Sequence, residues 1–324
     1  MICRAQQLKS CFPKFHYKLV NIRYVPYLEI DKIEWDRCIN RSANTLIYAK
    51  AFYLDAMAGN WDALVLDNYE AVMPLTLRKK WGISYLYQPA FTQQLGVFFS
   101  GVKGSEIVEA FLAKAASYFK FIEINLNFQN RTSQINGSLS ARNNFVIPLS
   151  KSYEEKRLTY PGFTLKHLKR AVKANLKYEV STDYIPVVEL YKKLYHTRML
   201  HITNDDFKNF SAVCKRLVEQ HFLAVRNVLD DAGEIMAAGI FLMDSNRIYN
   251  MASCITQQGK KLQANYFLFD ELIREFSNST LLLDLEGSDL KGIADFYNHF
   301  APENQPYYFY KVNNLSPLLK LVKK

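Results

Sequence analysis

The sequence predicts an α/β (α+β) protein that uses one plan twice. Two tandem units are expected, each a mostly antiparallel mixed sheet flanked by helices, with a cleft between them. Three observations carry this expectation. The chain has 324 residues, which suits two domains at ~150 residues each. The order of elements is the same in both halves: two helices, antiparallel strands, a helix, a strand and a closing strand. No repeat is visible letter by letter. Finally, residues 247–287 read strand, turn, helix, strand, and the rest of the chain is arranged around them.

In order, residues 1–17 read as a loosely tied arm, and the first unit is placed at 18–150. Strand signals begin at 18–25. Helices are expected near 33–40 and 48–58. Short strands with polar turns, at 61–68, 69–80, 82–89 and 92–100, read as an antiparallel meander. A helix over 105–119 places Ile107, Val108, Phe111, Leu112 and Ala115 on one face. A strand at 121–128 follows, with Glu123, Asn125 and Asn127 on one side. The segment 129–143 reads as a polar loop, and 145–149 as the strand that closes this half.

A basic connector is expected over 151–176. Pro161-Gly162 breaks the segment 152–160, and Thr164 is placed as the cap of a helix running to about Asn175. Leu165, Leu168, Val172 and Leu176 form its apolar stripe, and Lys166, Lys169, Arg170 and Lys173 an adjacent basic one. The second unit, 177–324, repeats the plan. It has a strand at 177–181, helices at 185–198 and 205–220, and strands at 222–230, 234–244 and 247–256. A helix at 263–276, a strand at 281–287, a short helix at 293–301 and a last strand at 306–313 complete it.

Composition bounds the function. Aromatic residues make up 14% of the chain, enough for large cores in both units. No run approaches the roughly 20 apolar residues of a membrane span. The N-terminus lacks the apolar stretch of a secretory signal. The five cysteines, Cys3, Cys11, Cys38, Cys214 and Cys254, show no close pairing. Free thiols in a reducing compartment are expected, hence a cytoplasmic protein without a metal site. The net charge is +10, and more than half of the excess lies in 151–177, where eight Lys or Arg face only Glu154 and Glu155. Such a face implies an anionic partner: nucleotide, coenzyme, tRNA or anionic lipid surface. A solvated helix face is the simpler reading of the same residues.

The central stretch carries the chemistry. Gly259, Lys260 and Lys261 fall just before a helix start. Free backbone N–H groups, the positive helix end and two lysines would converge on a phosphate or pyrophosphate. Asp284 and Glu286, two apart on a strand, would share one face. An anion cradle beside paired carboxylates can hold a charged donor and orient an amine; an ordinary βαβ unit with a solvated turn is the alternative. Gln93 and Gln94 make a polar dip between Phe91 and Leu95, read either as a turn or as amides facing the cleft. Tyr87 and Phe91 read as core or cleft wall. His196, His201 and His221 lack metal-ligand spacing, and Cys254 reads as a small core residue. P-loop, Gly-x-Gly-x-x-Gly, Gly-x-Ser-x-Gly and His-Glu-x-x-His patterns are absent from the sequence. That removes NTPase, Rossmann dehydrogenase, serine hydrolase and zincin readings.

Three segments carry a resemblance: AVMPLTLRKKWGISYLYQPAFTQQLGVF (71–98), HLKRAVKANLKYEV (167–180), and the run from AAGIFLMD (237–244) through QQGKKLQANYFLFDELI (257–273) to DLEGSDLKGIADFYNHF (284–300). The order of elements in each half resembles the GNAT acyltransferase fold. The doubled arrangement resembles the tandem-GNAT family that includes the FemABX-type peptidoglycan aminoacyltransferases and related bacterial acetyltransferase-like proteins. The resemblance runs over nearly the whole chain from about residue 18.

The resemblance implies transfer of an acyl or aminoacyl group to an amine by direct attack, with positioning and charge stabilisation supplying much of the rate. It implies a splayed strand at 247–256 whose backbone N–H groups face the donor carbonyl near Ala252, Ser253 and Cys254. The donor would meet Gly259, Lys260, Lys261, Ala264 and Asn265. The turn departs from the family's donor loop at Lys260-Lys261-Leu262, where a second small residue is usual. Glu286 or Asp284 would accept a proton or orient the amine. Ser288, Lys291 and Tyr297 would line the acceptor side, with Gln93, Gln94, Lys169 and Arg170 as further substrate-binding candidates. Acyl-CoA is the expected co-substrate and aminoacyl-tRNA the second choice. The expected acceptor is a small-molecule or envelope-precursor amine. No metal and no DNA are expected, and peripheral membrane contact stays open. No insertion is long enough for the coiled-coil arm of some peptidoglycan members. A reading of another class keeps the fold without the chemistry, as a module holding tRNA or a membrane surface by the basic connector.

Overall fold

The computed structural model describes residues 21–317 apart from 81, 102, 103, 133, 134 and 200. The arm at 1–17, with Cys3 and Cys11, lies outside the described residues, as does the start of the first expected strand. The first half contains β1 (Ile22–Val25), α1 (Lys32–Arg41), α2 (Ala51–Met57), β2 (Trp61–Leu66), β3 (Ala71–Lys80), β4 (Ile83–Leu86), β5 (Phe98–Phe99), α3 (Ser105–Tyr118), β6 (Phe121–Leu126) and β7 (Ser138–Arg142). Then come β8 (Phe145–Pro148), α4 (Tyr153–Leu158), α5 (Gly162–Lys173), β9 (Lys177–Ser181), α6 (Ile185–Tyr195), α7 (Asn204–Glu219), β10 (Leu223–Leu229), β11 (Ile235–Met243) and β12 (Arg247–Ile255). The chain ends with α8 (Gln257–Leu262), α9 (Ala264–Phe276), β13 (Leu282–Asp284), α10 (Lys291–Tyr297), β14 (Glu303–Asn304) and β15 (Tyr307–Asn313).

Local chemistry sets the helix starts. Asp31 accepts from the N–H groups of Ile33 and Glu34 at the head of α1. Reciprocal capping boxes, Ser152 with Glu155 and Thr203 with Asp206, open α4 and α7. On α3 the buried side chains are Val108, Phe111, Leu112 and Ala115, the face that the periodicity marks. On α5 the cap is Pro161, not Thr164. Thr164 is buried and donates its hydroxyl to the carbonyl of His299, so it ties the helix down instead of starting it. Val172, placed on the apolar stripe, is 67% exposed, and Ala171 is buried in its stead.

Among the described residues one sheet runs β1-β2-β3-β4-β6-β15-β7, with β5 against β3, and the other runs β14-β8-β13-β12-β11-β10-β9. Strand pairs are antiparallel except β4–β6 in the first sheet and β12–β13 in the second. The duplicated plan is therefore present in the pairing as well as in the order. Two strands change sides. β8, expected to close the first half, pairs with β13 and β14 in the second sheet. β15, expected to end the second half, lies between β6 and β7 in the first. The sheets thus do not divide at residue 150. An apolar run fixes which face of a strand is buried, not which neighbour it takes. β7 falls inside the expected polar loop because its exposed Ser138 and Ser140 hide a strand that exists only by pairing with β15.

The two halves share an apolar core. Trp35, Tyr48, Trp61 and Phe98 of the first pack in one cluster with Phe207, Phe210, Tyr249 and Cys254 of the second. Phe91 stacks on Phe210 at 4.4 Å between ring centroids. Large aromatic surfaces removed from water on both sides make this a continuous interior, and it carries the floor of the site described next.

Candidate functional site

The site begins where two parallel strands part. β12 and β13 pair at Arg247↔Leu282, Ile248↔Leu283 and Tyr249↔Asp284, and pairing goes no further. On its other side β12 carries a bulge: Ile240 of β11 faces Ala252 while Phe241 faces Asn250, so Met251 has no partner. Bulges bend the strand that carries them. Asn250 bridges the opening, donating its amide to the carbonyl of Leu285 and to the hydroxyl of Tyr297 at 2.7 Å. A cleft of about 550 Å³ lies beyond the last pair, walled by Asn250, Met251 and Ser253 on one side and Leu285, Glu286 and Gly287 on the other. α6 adds Tyr191 and Tyr195, the following turn Arg198, α9 Asn265, and α10 Phe296 and Tyr297.

Glu286 is the titratable carboxylate of this cleft. β13 stops at Asp284, and Glu286 adopts a left-handed backbone with φ 54°, a conformation costly for a side chain with a Cβ. Strand alternation ends there, so the expected common face of Asp284 and Glu286 does not form. Asp284 turns into the interior and pairs with Arg247 at 2.7 Å, both side chains nearly without exposure. Arg247 also donates to Gln305 and lies over the Phe128 ring. Glu286 turns to the cleft and accepts a hydrogen bond from the hydroxyl of Tyr48. Burial pushes the Glu286 carboxyl well above the usual carboxylate range, and the negative Asp284 adds to this; the Tyr48 hydrogen bond and Arg247 pull the other way. Burial raises Asp284 as well, against the pull of Arg247. A carboxyl poised high in a cleft is the usual profile of a proton acceptor.

The turn at 257–265 is helical. α8 occupies Gln257–Leu262, and Gln263, at φ 62°, joins it to α9. The hydroxyl of Thr256 accepts from the Gly259 N–H at 2.9 Å, so this amide is not free for a phosphate, contrary to expectation. Gly259 is needed for close approach instead: a Cβ there would lie 2.0 Å from the carbonyl oxygen of Met236. Lys260 and Lys261 are exposed at the end of α8. Ala264 is buried in a small core with Met236 and Leu268. Along β12, Ala252 and Cys254 point into the shared core, and only Ser253 of the expected three lines the cleft. Burial pushes the Cys254 thiol up to about 12, which fits a core residue.

No protein-family profile matches the sequence, and no curated protein does. Solved structures do. FemX aligns over 91% of this chain and 99% of its own, at 11% identity and a TM-score of 0.60. A tandem GNAT protein from the clavulanic acid biosynthesis pathway aligns over 90% and 97%, at 11% identity and 0.51. L-PGS from Bacillus licheniformis aligns over 90% and 95%, at 9% identity and 0.51. The chain has the tandem-GNAT fold. The likeness at these identities is one of fold, covering both halves at once.

Within the tandem-GNAT frame the first half has its own parting of parallel strands, and it is filled. β4 meets β6 only at Leu86↔Ile122. The segment after β4 occupies the gap: Gln88 accepts from the Asn125 N–H, Asn125 donates its amide to the Gln93 carbonyl, and Leu95 bridges to Leu126. Gln94, fully buried, accepts from the Phe128 N–H, and Gln93 donates to Asn144. The two glutamines therefore seal the first half and do not line the cleft of the second. Ser288 is also structural, donating to the Glu286 carbonyl and accepting from the Phe145 N–H. Lys291 is exposed outside the cleft, and Lys169 and Arg170 lie on the outer face of α5. Of the expected site residues the cleft gathers Ser253, Asn265, Glu286 and Tyr297.

Sequence reasoning missed Tyr48, Asn250, Tyr191, Tyr195 and Arg198. Arg198 is the one cation among the described residues lining the cleft. Asn250 was within reach, being an amide on an otherwise apolar strand next to the expected donor residues. Tyr48 carried no local signal. Among the described residues no group of three His, Cys, Asp or Glu side chains is arranged to hold a metal ion. No helix among them is long and apolar enough to cross a membrane.

Proposed function

We propose that the chain is a transferase that moves an acyl or aminoacyl group from an activated thioester or ester to an amine in the cleft between β12 and β13. The observation that carries this reading is the Glu286 carboxylate, raised by burial and facing the cleft where the two strands part. The amine gives a proton to Glu286 as its lone pair attacks the donor carbonyl. The carbon–sulfur or carbon–oxygen bond then breaks, and the leaving group takes up a proton. In this reading, backbone N–H groups of β12 beyond its last pair with β13 polarise the carbonyl. Acyl-CoA leads as donor. Lys260 and Lys261, unpaired with any described acid, and Arg198 supply charge for its phosphates, while the capped Gly259 amide does not. Among proteins of the same fold, one is a tandem GNAT protein described without AcCoA and another is FemX. Aminoacyl-tRNA is the second donor.

The test is a thermal-shift titration with coenzyme A, acetyl-CoA and longer acyl-CoAs, followed by an amine screen. A ligand at a hundred times its dissociation constant stabilises the fold by about 2.7 kcal/mol. Glu286→Gln is expected to keep that shift and lower kcat/KM by about 10²–10⁴-fold. A flat titration with every CoA overturns the donor; full activity in Glu286→Gln overturns the base.

A further inference from the structure

The outer face of α5 is a strongly charged surface that the cleft chemistry does not use. At 3.6 residues per turn, Lys166, Lys169, Arg170 and Lys173 fall within an arc of about 100°. All four are exposed, and the helix carries no acid. No ion pair links any of them to a described residue; the nearby Lys177 takes Asp231 instead. Apolar side chains flank the cations where solvent would favour polar ones: Val172 is 67% exposed on one side and Phe163 46% on the other.

We propose that this face docks the protein on an anionic lipid bilayer. The cations match acidic headgroups, and the clustering of basic residues near one surface is what attracts proteins to such membranes. Val172 decides between a bilayer and a nucleic acid. Aliphatic side chains gain nothing beside a phosphodiester backbone, yet gain from entering the boundary between headgroups and acyl chains. The face is also mechanically joined to the cleft. Thr164 bonds the His299 carbonyl and Phe163 packs edge-on against the His299 ring at 4.5 Å. His299 follows directly on α10, which supplies Phe296 and Tyr297 to the cleft wall. A protein docked by α5 thus holds its cleft wall close to the membrane, where an amine carried by a lipid or a lipid-linked molecule would be met.

The experiment is co-sedimentation of the full chain with vesicles of phosphatidylcholine, with and without added phosphatidylglycerol, over a range of salt. Binding is expected only with phosphatidylglycerol and is expected to weaken as salt rises. The double variant Lys169→Glu/Arg170→Glu should lower the partition at least about tenfold. Val172→Ser should lower it at unchanged charge. Unchanged melting temperatures for these exposed substitutions keep misfolding from mimicking the result. Absence of binding to phosphatidylglycerol vesicles at low salt overturns the proposal. So does salt-sensitive binding to tRNA that the charge variant abolishes while vesicle binding is unaffected.

Discussion

Tyr48, on the short helical turn Ile47–Ala49 of the first half, donates its hydroxyl hydrogen to the Glu286 carboxylate of the second. Its ring is fully buried and packs edge-on against Tyr53 and Tyr249. Tyr249 in turn accepts from the Ile47 N–H and donates to Asp244. The candidate base is therefore aimed by a residue far away in sequence and held by the shared core.

Tyr48→Phe keeps the ring and removes the donor. A hydrogen bond to a charged group is worth about 1.5–3 kcal/mol, and this one favours the ionised carboxyl. Its loss should push the Glu286 carboxyl still higher. The rising limb of kcat/KM against pH is expected to move to higher pH. A limb that stays in place would show that Tyr48 only packs.

Glu286→Gln should stabilise the fold at neutral pH. The folded carboxyl is raised above its unfolded value, so the folded state prefers the proton. That contribution is fully present below the unfolded pKa, near 4.3, and is lost as pH rises towards the folded pKa. The melting temperature of the variant should match the parent in acid and exceed it increasingly above that point. Parallel curves would mean that Glu286 is solvated in the folded state.

Arg247 and Asp284 form a pair removed from water. Arg247→Leu strands a buried carboxylate and should cost about 3–5 kcal/mol in urea unfolding. Arg247→Leu/Asp284→Leu should recover a large part of the loss. If the double variant is as unstable as the single, packing of the guanidinium on Phe128 and Gln305 dominates instead of charge.

Gly259→Ala places a methyl group against the Met236 carbonyl. The neighbour is backbone, so α8 has to shift. A loss above about 2 kcal/mol is expected, against about 1 kcal/mol for Thr256→Val, which removes only the cap. Equal losses in thermal melts would place the strain elsewhere.

The amphipathic helices were legible because their signal is local. Buried residues recur at three and four on α3, and capping residues mark α4 and α7. The parting of β12 from β13 was expected from resemblance, and Ser253, Asn265, Glu286 and Tyr297 were in the expected set. For Gln93 and Gln94 the sequence left a turn and a cleft wall both open, because an amide looks the same in sequence whether it seals a gap or lines one. β7 and the exchange of β8 with β15 left no trace, since strand partners are chosen across the whole chain.

The sequence by itself determined the duplicated order of helices and strands, the basic stripe on α5 and the presence of two carboxylates, Asp284 and Glu286, at the strand after α9. Periodicity and turn chemistry act over a few residues, so a few residues reveal them. Only the tertiary structure decided that Asp284 turns inward to Arg247 while Glu286 turns outward to Tyr48. Past the last paired residue a side chain follows its own backbone angles, and the left-handed turn at Glu286 is held by partners that the sequence places far away.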